Sequence, residues 1–346
     1  MHLVAPSSTQ EPWTQTWCFC FPVVELQHTP RPTQRPAGGV HEAAQLTSFS
    51  ARPERRKAKV RRVARTVRFE IMNGSFRFLE HKLTIYRETS LKIATWNVNS
   101  VRSRIERVVA WTARMRPDVL CFQEIKTTDD LFPQGPFADL GYQAEVFGQK
   151  TYNGVAILSL APITKVVRNL PGDEPEAPRR LIAGTVGGVR IVNVYVPNGQ
   201  SPESEKFVYK LDWLERLRAF LAATAKPSDL LVLLGDFNIA PEERDVRYPD
   251  LWRGRIHFHP KEHEALARIT SWGLHDLLRK HHEEGGLYSW WDYRQLAFQK
   301  NNGLRIDLIL GTQKARERCQ AVGIYRDERK GESPSDHVPV VAELAV

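Results

Sequence analysis

The 346 residues contain only four cysteines, Cys18, Cys20, Cys121 and Cys319, and none are paired at C-x-x-C spacing. So few in a chain this long fit a reducing compartment and exclude a disulfide framework. No apolar run approaches the roughly 20 residues that a membrane-crossing helix needs. The start lacks a basic segment followed by a sustained apolar stretch, so no secretory signal is read. No repeat recurs at a solenoid period. The body of the chain also lacks strong net charge. Of the formal +9, residues 1–90 supply +7 (14 Lys/Arg against 7 Asp/Glu), which leaves +9 − 7 = +2 for residues 91–346. Net charge therefore says little about the substrate. These absences leave a soluble protein, expected in a bacterial cytoplasm, with no membrane partner.

A 42% hydrophobic and 26% charged composition gives ample material for a core. Residues 1–56 are rich in Pro, Ser, Thr and Gln, and Pro30–Pro36 is a cluster of breakers. Basic residues then concentrate between Arg52 and Arg68, as a solvated segment, a nucleic-acid arm or a localisation signal. Residues 1–90 are expected to form a disordered basic extension. A start at Met72 is an alternative that peptide mapping of the native N-terminus would test.

From Leu91 the character changes. Short apolar runs recur, and several end in a polar residue of catalytic type: Leu91–Asn97, Val119–Glu124, Val189–Val196, Leu230–Asn238, Arg305–Leu310 and His337–Leu344. Gly154–Ser159 and Leu181–Val186 are further strands of this kind. Val101–Met115, Glu203–Ala223 and Glu262–Leu278 carry apolar residues at helical spacing. Strands and helices are mixed, and several strand-to-strand links are too short for a parallel crossover. The spacing predicts an α+β fold over residues 91–346, a four-layer αββα sandwich of two mixed sheets flanked by helices.

The polar strand ends are Asn97, Glu124, Tyr195, Asp236, Asn238, Asp307, Asp336 and His337. Each alone has an ordinary role: the asparagines in turns, Tyr195 in a core, Glu124 and Asp307 in ion pairs, Asp336 as a cap. Together they form an oxygen-rich set with one imidazole, suited to Mg²⁺, or Mn²⁺ as the alternative, rather than structural zinc. Beside a phosphate diester, such an ion stabilises charge on the non-bridging oxygens and the leaving group. An Asp can activate water, amides and imidazole can hold the transition state, and Asp307 can orient His337. The set points to metal-assisted hydrolysis of a phosphate ester.

Trp96-Asn97, Leu120–Lys126, Asn193–Asn198, Gly235-Asp-Phe-Asn238, Gly303–Asp307 and Ser335-Asp-His337 resemble, in order and spacing, the motifs of the exodeoxyribonuclease III family. That family lies within the endonuclease/exonuclease/phosphatase superfamily. The resemblance covers residues 91–346; residues 1–90 have no counterpart in its compact bacterial members. Tyr288–Arg294 with Leu304, and Ser271–Asp276, are similar to the abasic-site endonuclease branch in particular. The resemblance implies Glu124 as a principal metal ligand, with Asn97 and Asp336 near the metal and Asp236, Asn238 and His337 around it. It implies Asp236 activating water, Asn238, Tyr195 and His337 on the scissile phosphate, and Asp307 orienting His337. Trp290, Trp291 and Leu304 would line a pocket for a flipped-out abasic sugar, whose extrusion costs least where pairing is already absent. Arg102, Lys126 and Arg294 would contact the DNA backbone.

The implied activity is hydrolysis 5′ to abasic sites in duplex DNA, with action at 3′ ends as exonuclease, phosphatase or phosphodiesterase, by a monomer. The competing readings are a superfamily hydrolase of inositol or lipid phosphates, and a DNA-binding protein without catalysis. The segment Tyr288–Arg294 argues against the first. Retention of every expected catalytic residue type argues against the second.

Overall fold

The computed structural model describes residues 90–346 together with two short strands, β1 (Phe69–Met72) and β2 (Ser75–Phe78), which pair antiparallel. Apart from those strands, the expected disordered extension lies outside the described residues. The chain then runs through β3 (Ser90–Asn97), α1 (Ile105–Met115), β4 (Val119–Gln123), α2 (Gln134–Ala138), β5 (Gln143–Phe147) and β6 (Val155–Ser159). Next come β7 (Thr164–Arg168), β8 (Leu181–Val186), β9 (Val189–Tyr195), α3 (Glu205–Thr224) and β10 (Leu231–Asp236). It closes with α4 (Pro249–Trp252), α5 (Pro260–Thr270), β11 (Leu274–Asp276), β12 (Asp307–Thr312), α6 (Gln313–Arg318), β13 (Cys319–Ile324) and β14 (Val340–Ala345).

Two six-stranded mixed sheets form, ordered β13-β14-β3-β4-β6-β5 and β11-β12-β10-β9-β8-β7. Strand parity assigns the layers, because successive side chains point to opposite faces. On β4, Val119 and Cys121 enter the core between the sheets, while Leu120 and Phe122 meet Val108 and Trp111 of α1 and Phe137 of α2. On β10, Val232 and Leu234 face the other sheet, while Leu231 and Leu233 pack under Trp213, Leu214 and Leu217 of α3. The result is four layers, helix on sheet on sheet on helix. Among the described residues no helix is long and apolar enough to cross a membrane.

One helix ends earlier than its apolar spacing predicts. Glu262–Leu278 reads as continuous, but α5 stops at Thr270, Gly273 takes φ +121°, and Leu274–Asp276 pairs with β12 as an edge strand. Sheet pairing overrides the helical period there.

Topology gathers the strand ends at one edge of the sandwich. Strands β3 and β4 run parallel, as do β9 and β10, so Asn97, Gln123, Tyr195 and Asp236 finish at the same end. Strand β12 is antiparallel to β10, which puts its first residue, Asp307, opposite Asp236. Strand β14 is antiparallel to β3, so His337, just before it, returns to the same edge. Beneath this edge Asn193 ties the sheets together. Its amide donates to the carbonyls of Phe122 and Ala156 (both 3.0 Å), and its Oδ1 accepts from Gln123 Nε2 (2.7 Å).

Candidate active site

Asn97 is the hinge of the cluster. Its Nδ2 donates to Glu124 Oε1 (2.8 Å) and to Asp236 Oδ2 (2.9 Å), bridging the two sheets. Asp236 Oδ1 accepts from the Asn238 backbone N–H (2.9 Å), and the Asn238 amide donates to Val196 O (3.0 Å). His337 Nδ1 lies 2.9 Å from Asp307 Oδ2, and its Nε2 lies 3.6 Å from Asp236 Oδ2. The Tyr195 hydroxyl pairs with Glu124. Gly235, at φ +143°, makes the approach of β9 feasible: a Cβ there would sit 1.9 Å from Val194 O.

Burial and like charges set the protonation states. Burial pushes the Asp236 carboxyl up to about 7; His337 pulls against that, while Asp307 and Glu124 add to it. Burial opposes a charged His337, but Asp307 and Asp236 outweigh it and raise the imidazole to about 10. Tyr195 is held well above the ordinary phenol value by burial, then by Glu124 and Asp236. At neutral pH the site thus holds an imidazolium, a neutral phenol donor and an Asp that is poised to accept a proton.

One donor atom each from Glu124, Asp236 and His337 lies within 4.8 Å of the others, and Asp307 Oδ1 is buried without a partner. A divalent cation fits the Glu124 and Asp236 carboxylates of this sulfur-free cluster, while His337, as an imidazolium, faces them as a donor rather than a ligand. Asp336 stands differently: its two oxygens accept from Asn99 Nδ2 (2.9 Å) and Trp290 Nε1 (3.0 Å), and it lies outside the cluster of Glu124, Asp236 and His337.

The expected sugar-pocket residues divide. Trp290 is half-buried beside His337, with ring centroids 6.5 Å apart, and Leu304 lies fully buried under it through paired backbone bonds. Trp291 points the other way. It is wholly buried with Tyr288, Ala297 and Val338 and donates to Asn301, because adjacent residues in an extended segment face opposite sides. Trp291 is therefore core, not pocket wall. Lys126 pairs with Glu124 (2.9 Å) and Asn99 (2.6 Å), and Arg294 pairs with Asp292 (2.6 Å); Arg102 is exposed.

Sequence reasoning missed the supports. Asn99, Ser100, Glu124, Lys126 and Asn238 all adopt positive φ without being glycine. Such strain concentrates at sites whose surroundings over-determine the backbone. Ser289 Oγ accepts from the backbone N–H of Ile306 and Asp307 (3.1 and 3.0 Å), fixing the start of β12. Lys210, fully buried, donates to Asn198 O (3.1 Å) and Asn238 O (2.8 Å) and pairs with buried Glu262. His257, also buried, places Nδ1 2.7 Å from the same Asn238 carbonyl and its ring 6.0 Å from Trp290. Helical spacing hinted only at Lys210's neighbours, and nothing in the loop around His257 marked it.

A four-layer sandwich with carboxylates, amides and one imidazole converging at its strand ends defines a metal-dependent phosphoester hydrolase. The chain belongs to the endonuclease/exonuclease/phosphatase family, whose description matches residues 94–337. Within that family its relatives are nucleases of the exodeoxyribonuclease III type. Exodeoxyribonuclease III of Haemophilus influenzae is 36% identical over 266 residues, 73% of this chain and 100% of the relative. The structure of an AP endonuclease from Archaeoglobus fulgidus shares 41% identity at a TM-score of 0.71, covering 74% of this chain and 100% of that one. A 3′ phosphatase from Neisseria bound to product DNA hairpin shares 41% at 0.70, covering 73% and 99%.

Proposed function

We propose that this nuclease hydrolyses the phosphodiester 5′ to abasic sites in duplex DNA and also processes 3′ ends, acting as a monomer. The observation that carries the reading is the Asp236 carboxylate. It is held by Asn97 and the Asn238 backbone N–H beside an imidazolium, with Trp290 forming an apolar wall next to His337. Asp236 orients a water and accepts its proton as the oxygen attacks phosphorus. The Asn238 amide, the Tyr195 hydroxyl and the His337 Nε2–H supply donors to the phosphoryl oxygens as charge develops on them. Asp307 keeps His337 Nδ1 protonated and its ring fixed. Glu124, with Asp236 and the neighbouring Asn97, would hold Mg²⁺ or Mn²⁺, which when bound supplies positive charge to the phosphate and the leaving oxygen.

The test is a labelled duplex carrying one abasic-site analogue, incubated with Mg²⁺ or with EDTA, using the native enzyme and Asp236→Asn. A metal-dependent nick 5′ to the lesion is expected, slowed about 10²- to 10⁴-fold in the variant. Intact DNA under every condition, with folded protein, would sink the reading. Trimming of 3′ ends without a nick would confine the activity to termini.

A further inference from the structure

Beyond the reaction centre, the loop Tyr293–Phe298 and the segment Arg326–Pro334 line an open surface cavity of about 670 Å³, within the usual range of about 300–1,000 Å³ for ligand sites. Two guanidiniums line it. Arg329 is 9% exposed, its Nε has no hydrogen-bond partner, and its one bond, from Nη2 to Trp291 O, is long at 3.4 Å. Arg326 makes only long contacts, 3.4 Å to Phe298 O and 3.5 Å to Asn301 Oδ1. Both instead lie over aromatic faces, Arg326 over Phe298 at 4.3 Å and Arg329 over Tyr293 at 4.7 Å. Among the described residues neither forms an ion pair with a carboxylate. The one carboxylate on the cavity wall, Asp292, is already held by Arg294.

Leaving the donors of buried Arg329 unmet costs free energy unless a partner arrives, whereas Arg326 is exposed and offers its guanidinium from the rim. Paired arginines match the tetrahedral oxygens of a phosphate through parallel N–H bonds. A chain of hydrogen bonds links the cavity wall to the active-site edge. The Tyr293 hydroxyl donates to Pro334 O (2.8 Å) and accepts from Arg104 Nη2 (3.0 Å), while Arg104 also binds Asn99 O, and Asn99 holds Asp336. We propose that Arg326 and Arg329 form a second anion site, which grips a backbone phosphate of the substrate DNA away from the scissile bond. The inference rests on the DNA reading above. It makes these two residues, rather than Arg294, the arginines that position the strand.

The experiment measures binding rather than cleavage. A fluorescent duplex with an abasic-site analogue is titrated in EDTA from about 50 to 200 mM salt with native enzyme, Arg326→Met, Arg329→Met and the double variant. Each lost phosphate contact should make the slope of log affinity against log salt shallower by about one. The double variant should bind at least about tenfold more weakly at the lowest salt, with kcat on saturating DNA within about threefold of native. A folded double variant with native slope and affinity overturns the proposal. If Arg329→Met does not fold, Arg326→Met alone decides, through a slope change of about one. Calorimetry with a deoxynucleoside monophosphate is the second arm. Loss of its binding in the variants, with the DNA slope unchanged, would assign the site to free phosphates and overturn the DNA role. Native enzyme that binds duplex without nicking it would defeat the proposed reaction and leave these slopes to decide the site; native enzyme that binds no DNA would overturn both.

Discussion

Replacing Lys210 tests how the fold holds the catalytic loops. The side chains of Lys210 and Glu262 are both 0% exposed, and the three ammonium donors are fully used by Glu262 Oε1, Asn198 O and Asn238 O. Glu262 Oε2 also accepts from the His259 backbone N–H (3.0 Å) at the start of α5, so the pair links α3, α5 and two active-site loops. Lys210→Met leaves a buried carboxylate without its counter-charge and Asn198 O without its buried donor. Removing one partner of a buried pair costs about 3–5 kcal/mol. Simply adding three charge-assisted bonds at about 1.5–3 kcal/mol each would overshoot this, because the stranded Glu262 can take up a proton. Lys210→Met with Glu262→Leu removes both charges and should recover most of the loss, leaving about 1–3 kcal/mol for the orphaned carbonyl. Urea unfolding of the four proteins in the cycle measures the coupling, expected to be at least about 3 kcal/mol. High salt should leave it intact, since screening barely reaches a buried pair. A Lys210→Met protein less than about 1 kcal/mol below native, or a coupling near zero, would refute the reasoning.

Three further outcomes follow from the same geometry. Asp307→Asn removes the acceptor that fixes His337 Nδ1; kcat should fall about 10²- to 10⁴-fold with KM little changed, and an unchanged kcat would detach Asp307 from the reaction. Gly235→Ala puts a methyl 1.9 Å from Val194 O at a left-handed φ; the clash and strain together should cost about 3 kcal/mol or more, a melting-temperature drop of roughly 6–12 °C, and a native melting curve would show that β9 and β10 can part freely. His257 is held neutral, its pKa lowered to about 3 by burial and by the Lys210 charge. Its folded pKa thus lies below the unfolded value, so only the unfolded chain takes up this proton as pH falls from about 6.5 towards 3. Stability should therefore decline across that window, by at most about 5 kcal/mol. Urea midpoints should fall less steeply with acid in His257→Gln, and equal slopes would remove His257 as the cause.

How much of this could be read from the residues depended on where each strand lies. Central strands announce themselves because both faces are buried: Val119–Gln123, Leu181–Val186 and Leu231–Asp236 are runs of mostly apolar residues, and the sequence boundaries fall within two residues of the structural ones. Edge strands do not. Thr164–Arg168 is mostly exposed and Gln143–Phe147 has no buried residue, so neither carries the unbroken apolar run that marks a strand. Helix α3 was legible through its long apolar period, but the period alone places its start at Glu203, two residues early, and misses the cap at Ser204, which accepts from the Phe207 N–H.

The candidate site was legible for a topological reason rather than a chemical one. Each polar residue that ends a buried run must leave the core at the sheet edge, and the parallel β3/β4 and β9/β10 pairs bring those ends together. Side-chain direction within irregular segments obeys no such rule. Trp290 and Trp291 are indistinguishable by type and neighbours. Only the pairing of Trp290 with Leu304 and His337 turns one to the site and the other to the core. The same limit hid Lys210, which sits in an amphipathic helix where a lysine normally reaches solvent. Its burial makes sense only once two loops far apart in sequence present their carbonyls to it. A sequence thus exposes the candidate groups for the chemistry, because they interrupt a pattern. The groups that hold them in place follow the pattern and become visible only through their contacts.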